Sequence, residues 1–245
     1  MHDQYERIAH AYREARKAPM SLFLEAPSVL KAIGNLEGKR AIDFACGEGF
    51  YTRMLKGRGA SVVVGIDLSP QMIELAEEEE RRAPLGVSYF VADVAEKPKF
   101  GAFDLATAIF LFNYAEDVDA LDNMVSGVFE NLAPNGRLLA VVPNPAFVNG
   151  RKDTLPYGYF VEELERGSCG ARFKMTFYGA SEFSIECMQW DRPTYEAALA
   201  RNGFSSIEWM PFEVTPEGLC AFGEAFWDAA LTNPKSIILS AIKAS

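Results

Sequence analysis

The segment Asp43-Phe44-Ala45-Cys46-Gly47-Glu48-Gly49 follows a short apolar run, Arg40–Phe44, and precedes a helical segment that opens near Tyr51. Glycines in such a turn let a ligand approach the backbone where a side chain would collide. Asp67 stands twenty residues beyond Gly47, at the end of the next apolar run. An acid at that spacing can accept hydrogen bonds from both hydroxyls of a ribose. Together these residues specify an adenosine-type ligand at strand ends. A dinucleotide loop needs G-x-G-x-x-G, and Thr52 occupies the place of its third glycine. Asp43 and Glu48 bracket the turn with negative charge, which repels a diphosphate but suits a ligand carrying an ammonium and a sulfonium. S-adenosylmethionine (SAM) fits this pattern better than NAD.

The elements that position these residues alternate. Ser61–Ile66 is a β-branched run without polar alternation, as a strand buried on both faces requires. Ser69-Pro70 reads as a helix cap and first turn, followed by QMIELAEEEERR. Val87–Val91 and Phe103–Phe110 read as strands, Ala120–Leu132 as a helix, and Asn135-Gly136 as the turn into a strand over Arg137–Val142. This order predicts an α/β fold, a parallel sheet wound with helices on both faces. Residues 147–190 are rich in aromatics and glycines, with strand-like periodicity, and read as an insertion over the carboxyl edge of the sheet. The rhythm then resumes, with a helix over Pro193–Asn202, a strand over Ser206–Val214, a helix over Glu217–Leu231 and a last strand over Ser236–Ile242.

Composition narrows the function classes. Lys and Arg number 24 against 34 Asp and Glu, a net charge of −10 over 245 residues. Nucleic-acid affinity rests on neutralising phosphates with basic residues, so this balance argues against such a partner. The longest mainly apolar run, Leu105–Ala115, falls short of the ~20 residues that cross a bilayer. The amino-terminal MHDQYERIAHAYREARK is too charged for a signal peptide, and a cytoplasmic location is the expectation. The four cysteines are scattered and only His2 and His10 are present, so neither a metal site nor a Ser-His-Asp triad is expected. The run Glu77–Glu80 with Arg81 and Arg82 reads as a solvated helix face.

On Asp43–Gly49, Asp67, Val91-Ala92-Asp93-Val94 and Phe103-Asp104-Leu105 running into Phe110-Leu111-Phe112-Asn113-Tyr114, the chain resembles the class I SAM-dependent methyltransferase family. Tyr5-x-x-Ile8-Ala9-x-x-Tyr12 resembles the amino-terminal lid of its small-molecule branch. The resemblance implies a Rossmann-like, doubly wound, seven-stranded sheet, mostly parallel with an antiparallel carboxy-terminal strand, plus an inserted substrate-covering segment. It implies a single domain: a helical lid over 1–35, a SAM-binding core over 36–146, the insertion over 147–190 and sheet completion over 191–245. Asp43 and the backbone of Ala45, Cys46, Gly47 and Gly49 would meet the methionine part of SAM. Asp67 would hold the ribose, Leu68 and Met72 would line the adenine, and Ala92, Asp93 and Val94 would read its amino group and ring. Ile109 and Phe110 would receive the ammonium, and Tyr12 and Arg16 the carboxylate. Ala45 stands where the family usually has glycine, a change tolerated if its φ is negative.

SAM brings its own activated methyl, becoming S-adenosylhomocysteine (SAH), so the protein needs chiefly to align an acceptor. The scarcity of histidine favours nitrogen nucleophiles, or acids already ionised, over phenols that need a base. Tyr5, His10 and Tyr114 are candidate catalytic groups, and Asn113, Phe147, Tyr157, Tyr178 and Trp190 candidate acceptor contacts. The closing segment Phe226-Trp227-Asp228 through Ile238, with Gly47–Arg53, resembles a bacterial subgroup near toxoflavin synthase, which implies a flat heterocyclic acceptor. The expected partner is a small molecule, with no nucleic acid or membrane, and the protein is expected to be a monomer or homodimer. A SAM-binding sensor without catalysis and an NAD(P)-dependent oxidoreductase are the competing readings.

Overall fold

The computed structural model describes residues 18–178 and 182–245, so Tyr5, His10, Tyr12 and Arg16 lie outside the described residues. In chain order the first strands are β1 (Arg40–Phe44), β2 (Val62–Asp67), β3 (Ser88–Val91), β4 (Phe103–Ile109) and β5 (Leu132–Pro143). They pair in parallel in the order β3-β2-β1-β4-β5. Three strands, β6 (Tyr159–Arg166), β7 (Gly170–Phe177) and β8 (Phe183–Trp190), form a separate antiparallel sheet. β9 (Phe204–Met210) and β10 (Ser236–Lys243) complete the main sheet of seven strands, with β10 antiparallel to both β5 and β9.

Side chains alternate across this sheet with a period of two. On one face, Ala41, Val63, Leu105, Leu139 and Val141 pack with Val29 and Ile33 of α1 (Ala26–Ile33), Leu55 of α2 (Phe50–Gly57) and Ile73 of α3 (Pro70–Arg82). On the other, Ile42, Val64, Ala106, Leu138 and Ala140 pack with Leu121, Val125 and Val128 of α4 (Val118–Glu130) and with Ala198 and Leu199 of α5 (Arg192–Arg201). The cap read from Ser69-Pro70 forms: Ser69 Oγ accepts from the Met72 amide at 3.3 Å. From β1 the chain proceeds outward to β2 and β3, then crosses back to β4 on the other side of β1, so the strand order reverses between β1 and β4. A crevice therefore opens at the carboxyl ends of β1 and β4.

Two expected elements differ. The helix over 217–231 is two, α6 (Pro216–Phe222) and α7 (Glu224–Thr232), because Gly223 adopts φ 76° and ψ 159°, outside helical space. The strand expected to reach Val214 stops at Met210, since Pro211 has no N–H for the ladder.

The second sheet packs on the face that carries α1. Tyr159, Val161, Phe173, Met175, Phe183, Ile185 and Cys187 share one core with it. Polar anchors fix its last strand: Gln189 Nε2 donates to Asn144 O at 2.6 Å, and Trp190 Nε1 donates to Phe112 O at 3.1 Å. No helix among the described residues is long and apolar enough to cross a membrane, and no cluster of three His, Cys, Asp or Glu among them could hold a metal ion.

Candidate active site

The turn after β1 is shaped by backbone conformation and by what lies beneath it. Ala45 and Gly47 take left-handed φ values of 55° and 56°. The condition placed on Ala45 therefore fails: its methyl group sits in a conformation that costs an L-residue roughly 1–2 kcal/mol. Gly49, φ 85°, is required by close approach, because a Cβ there would lie 2.4 Å from the Tyr89 hydroxyl. Tyr89 is thus a packing residue of this turn that sequence reasoning missed. Cys46 points inward, its thiol bonded to Gly47 O at 3.5 Å, and burial pushes its pKa well up.

Asp43 is 1% exposed and lies beneath the turn, where it accepts from Thr52 Oγ1 at 2.7 Å and Thr107 Oγ1 at 2.6 Å. It braces β1 against α2 and β4. Neither Asp43, Cys46 nor Gly49 lines the cavity beside the turn, and neither does Glu48. The negative charge assigned to Asp43 and Glu48 comes from other residues.

That cavity, of about 430 Å³, lies at the carboxyl ends of β1 to β4. Ala45, Gly47, Asp67, Leu68, Met72, Ala92, Asp93, Val94, Ile109, Phe110 and Tyr114 all line it. Its charged lining residues are Asp67, Asp93, Glu116 and Asp117, with no lysine or arginine among the described residues. Asp67 Oδ2 accepts from the Gly47 amide at 2.8 Å and Oδ1 from the Ser69 amide at 2.9 Å. The carboxylate so joins the turns after β1 and β2, and its two oxygens offer about four lone-pair sites, leaving capacity for a diol. Asp93 Oδ1 accepts from the Ala95 amide at 2.8 Å, fixing its carboxylate at the mouth of the next turn.

Two positioning features were not read from the sequence. A Cβ on Gly127 of α4 would lie 2.0 Å from Val94 O, so this glycine lets the Asp93-Val94 turn settle onto the helix. Phe110 has φ 58° and donates its amide to Val141 O at 2.8 Å. A bulky residue in the left-handed region is strained, and such strain clusters at functional sites.

A second, smaller cavity of about 100 Å³ adjoins the first and shares Ile109, Phe110 and Tyr114 with it. Its apolar wall is a set of cross-strand neighbours, with Phe173 opposite Cys187 and Met175 opposite Ile185. Phe177, opposite Phe183, closes the row with ring centroids 4.8 Å apart. Burial pushes the Cys187 thiol up to about 12. Asn113 lines this cavity, and so do Glu25, Lys235 and Ser236. The last two are here because β10 runs antiparallel, which brings its first residues, Ser236 opposite Pro143, to the carboxyl edge of the sheet.

Among the expected acceptor contacts only Asn113 lines either cavity. Phe147 is buried in the core, and Tyr157 spends its hydroxyl on Phe226 O at 2.5 Å and the Ala230 amide at 3.1 Å. Trp190 is 2% exposed and turned to the opposite core, and Tyr178 is 44% exposed at the surface. The alternation in RFKMTF and FSIEC was the signal for the true lining residues, once the inward face of each strand is known.

The methyltransferase-domain family profile matches residues 41–136, the span from β1 to the start of β5 that builds the larger cavity. Over that span, less than half of the chain, the sequence is similar to the methyltransferase domain. The fold agrees: a SAM-dependent methyltransferase from Clostridium acetobutylicum superposes with a TM-score of 0.67 at 18% identity, over 98% of this chain and 99% of that one. SAM-bound CalS10, an amino pentose methyltransferase from Micromonospora echinaspora, superposes at 0.55 with 20% identity, over 99% and 91% of the chains. An uncharacterized protein of Haemophilus influenzae is 32% identical over 142 residues, covering 55% of this chain. The chain spans 54% of the length of that relative. The residue types of the larger cavity fit the cofactor of this class: carboxylates and apolar side chains suit a cationic adenosine ligand.

Proposed function

We propose that this methyltransferase moves a methyl group from SAM to a nitrogen or oxygen of a small, aromatic or heterocyclic metabolite. The observation that carries the reading is the pair of adjoining cavities, one acidic and adenosine-sized, the other apolar, meeting at Ile109, Phe110 and Tyr114. When bound, SAM supplies an electrophilic methyl carbon on sulfur.

The chain's own residues supply placement. Asp67 would hold the ribose while joining two turns, and Asp93 would accept from the adenine amino group. Leu68, Met72 and Val94 would cover the base, and Ala45, Gly47 and the strained Ile109-Phe110 segment would meet the methionine end. Phe173, Met175, Phe177 and Ile185 exclude water from the smaller cavity and give a flat acceptor an apolar wall. Holding two reactants in attack geometry can supply roughly 7–11 kcal/mol of the barrier, so alignment alone is a sufficient mechanism for a nucleophile with an available lone pair. In this reading residues 36–146 form the cofactor core and 147–190 cover the acceptor. The neighbour CalS10, an amino pentose methyltransferase, supports a small acceptor on this fold.

Calorimetry with SAM, SAH and NAD tests the cofactor assignment, with SAM and SAH binding expected and NAD silent. Incubation with labelled SAM and a small-metabolite extract, followed by product mass, tests transfer. NAD binding without SAM binding, or SAM binding with no labelled product from any extract, would overturn the proposal.

A further inference from the structure

The smaller cavity holds a mismatch of hydrogen-bonding groups. Asn113 is 2% exposed and its Oδ1 has no hydrogen-bond partner among the described residues. Its amide sits against the Cys187 thiol. Glu25 uses one oxygen, Oε1, for both Lys235 Nζ and Ser236 Oγ, the latter at 3.3 Å. Among the described residues no hydrogen bond reaches its Oε2. The pair is largely withdrawn from water, with side-chain exposure of 10% for Lys235 and 14% for Glu25. Lys235 also lies 5.5 Å from the Phe110 ring centroid and 5.6 Å from that of Tyr159, so its charge is held by a carboxylate and two ring faces.

Desolvating a carbonyl without a partner costs about 1–3 kcal/mol, and burying an ion pair is rarely favourable by packing alone. The backbone has also been bent to place this acid. Glu25 ends a π-helical turn, Ser21–Glu25, and both residues named line the cavity. Single π turns inside helices recur at functional sites. The cavity thus offers one buried oxygen acceptor that lacks a donor, Asn113 Oδ1, beside the Glu25 carboxylate and inside an apolar wall.

We infer that the methyl acceptor is an amine nitrogen bearing N–H on a flat apolar body, with Asn113 Oδ1 and Glu25 Oε2 as the acceptors that orient it. The inference rests on the proposed methyl transfer and selects among its acceptors. Ionised acids and thioethers carry no donor and leave the buried Asn113 oxygen unpaired. An N–H held by Asn113 directs the nitrogen lone pair away from the amide. The lone pair forms the N–C bond as the C–S bond breaks, the bonding pair leaves on sulfur as neutral SAH, and the proton of the methylated cationic nitrogen passes to water. Asn113 and Glu25 are positioning residues and take no proton.

The test uses the full chain saturated with SAH and a matched pair of probes, 3-aminoquinoline and 3-methylquinoline, which differ in N–H donors but little in shape. Titration calorimetry is expected to show the amine binding at least ~10-fold tighter. Asn113→Leu removes that preference, while Asn113→Asp, which keeps an oxygen, retains it. Equal binding of the two probes, no binding of either at millimolar concentration, or a preference that survives in Asn113→Leu overturns the inference. SAH titration of each variant separates the failures. Normal SAH binding without amine preference strikes this inference alone, and loss of SAH binding by the unmodified chain strikes the proposed function as well.

Discussion

Gly127→Ala probes the contact that seats the Asp93-Val94 turn. The new Cβ would stand 2.0 Å from Val94 O, 2.9 Å from Val94 Cγ2 and 3.0 Å from Val94 C, where ordinary contact begins at 3.4 Å. The nearest atom is a backbone oxygen, so no side-chain rotation relieves it. Helix α4 and the turn must separate by roughly 1 Å or more, at an overpacking cost of about 1–3 kcal/mol. In a chain of 245 residues each kcal/mol lowers Tm by about 2–4 °C, so melting is expected to fall by about 2–12 °C. The moved turn carries Asp93 and Val94, and both line the larger cavity. A displacement near 1 Å can cost up to ~100-fold where geometry decides an interaction, and SAH affinity is expected to drop at least 10-fold. Thermal melts and calorimetry with SAH read the two effects together. A variant with unchanged Tm and unchanged SAH affinity would refute the reasoning, and one that lost stability but kept affinity would separate the turn from the cofactor.

Ala45→Gly relieves a left-handed alanine, and after the entropy cost of glycine it is expected to stabilise by about 0.5–1 kcal/mol, raising Tm by about 1–4 °C. Asp67→Ala removes the carboxylate that joins two turns and faces the cavity, and SAH affinity by calorimetry is expected to fall about 100-fold. Burial raises the Glu80 pKa, but the amides of Leu85, Gly86 and Val87 and the Arg53 guanidinium outweigh it and hold the carboxyl below its usual value. A depressed carboxyl stabilises above its unfolded pKa and loses that contribution as pH falls through the folded one. Between about pH 5 and pH 3 the parent chain should therefore lose more stability in melts than Glu80→Gln. Thiol labelling at pH 8 should modify exposed Cys220 first, with buried Cys46 and Cys187 reacting only on unfolding, as mass spectrometry of the labelled chain will show.

The residues around the larger cavity were legible because each lies within a few positions of a strand end. Asp67, Asp93 and Phe110 all follow β-branched or apolar runs, and a parallel sheet must bring such ends to one edge. Local charge was less readable. Asp43 looked like part of the ligand wall, yet two threonines, Thr52 and Thr107, draw it beneath the turn. Glu80, in a run that reads as solvated, bends back to collect three backbone amides. The smaller cavity was the least legible part. Aromatic content marked the insertion, but which face of each strand turns inward depends on register, and Trp190 and Tyr157 were claimed by backbone partners far along the chain. Glu25 and Lys235 meet across 210 residues, and only the reversed direction of β10 puts them together.

The two cavities share Ile109, Phe110 and Tyr114, while one wall of the smaller comes from β7 and β8, outside the main sheet. Under the proposed function, chemistry and choice of client would reside in separable pieces of the polypeptide. Exchanging Met175, Phe177 or Ile185 for smaller or larger side chains should re-address the catalyst to new molecules while the nucleoside half runs unaltered, a modular layout well suited to directed evolution.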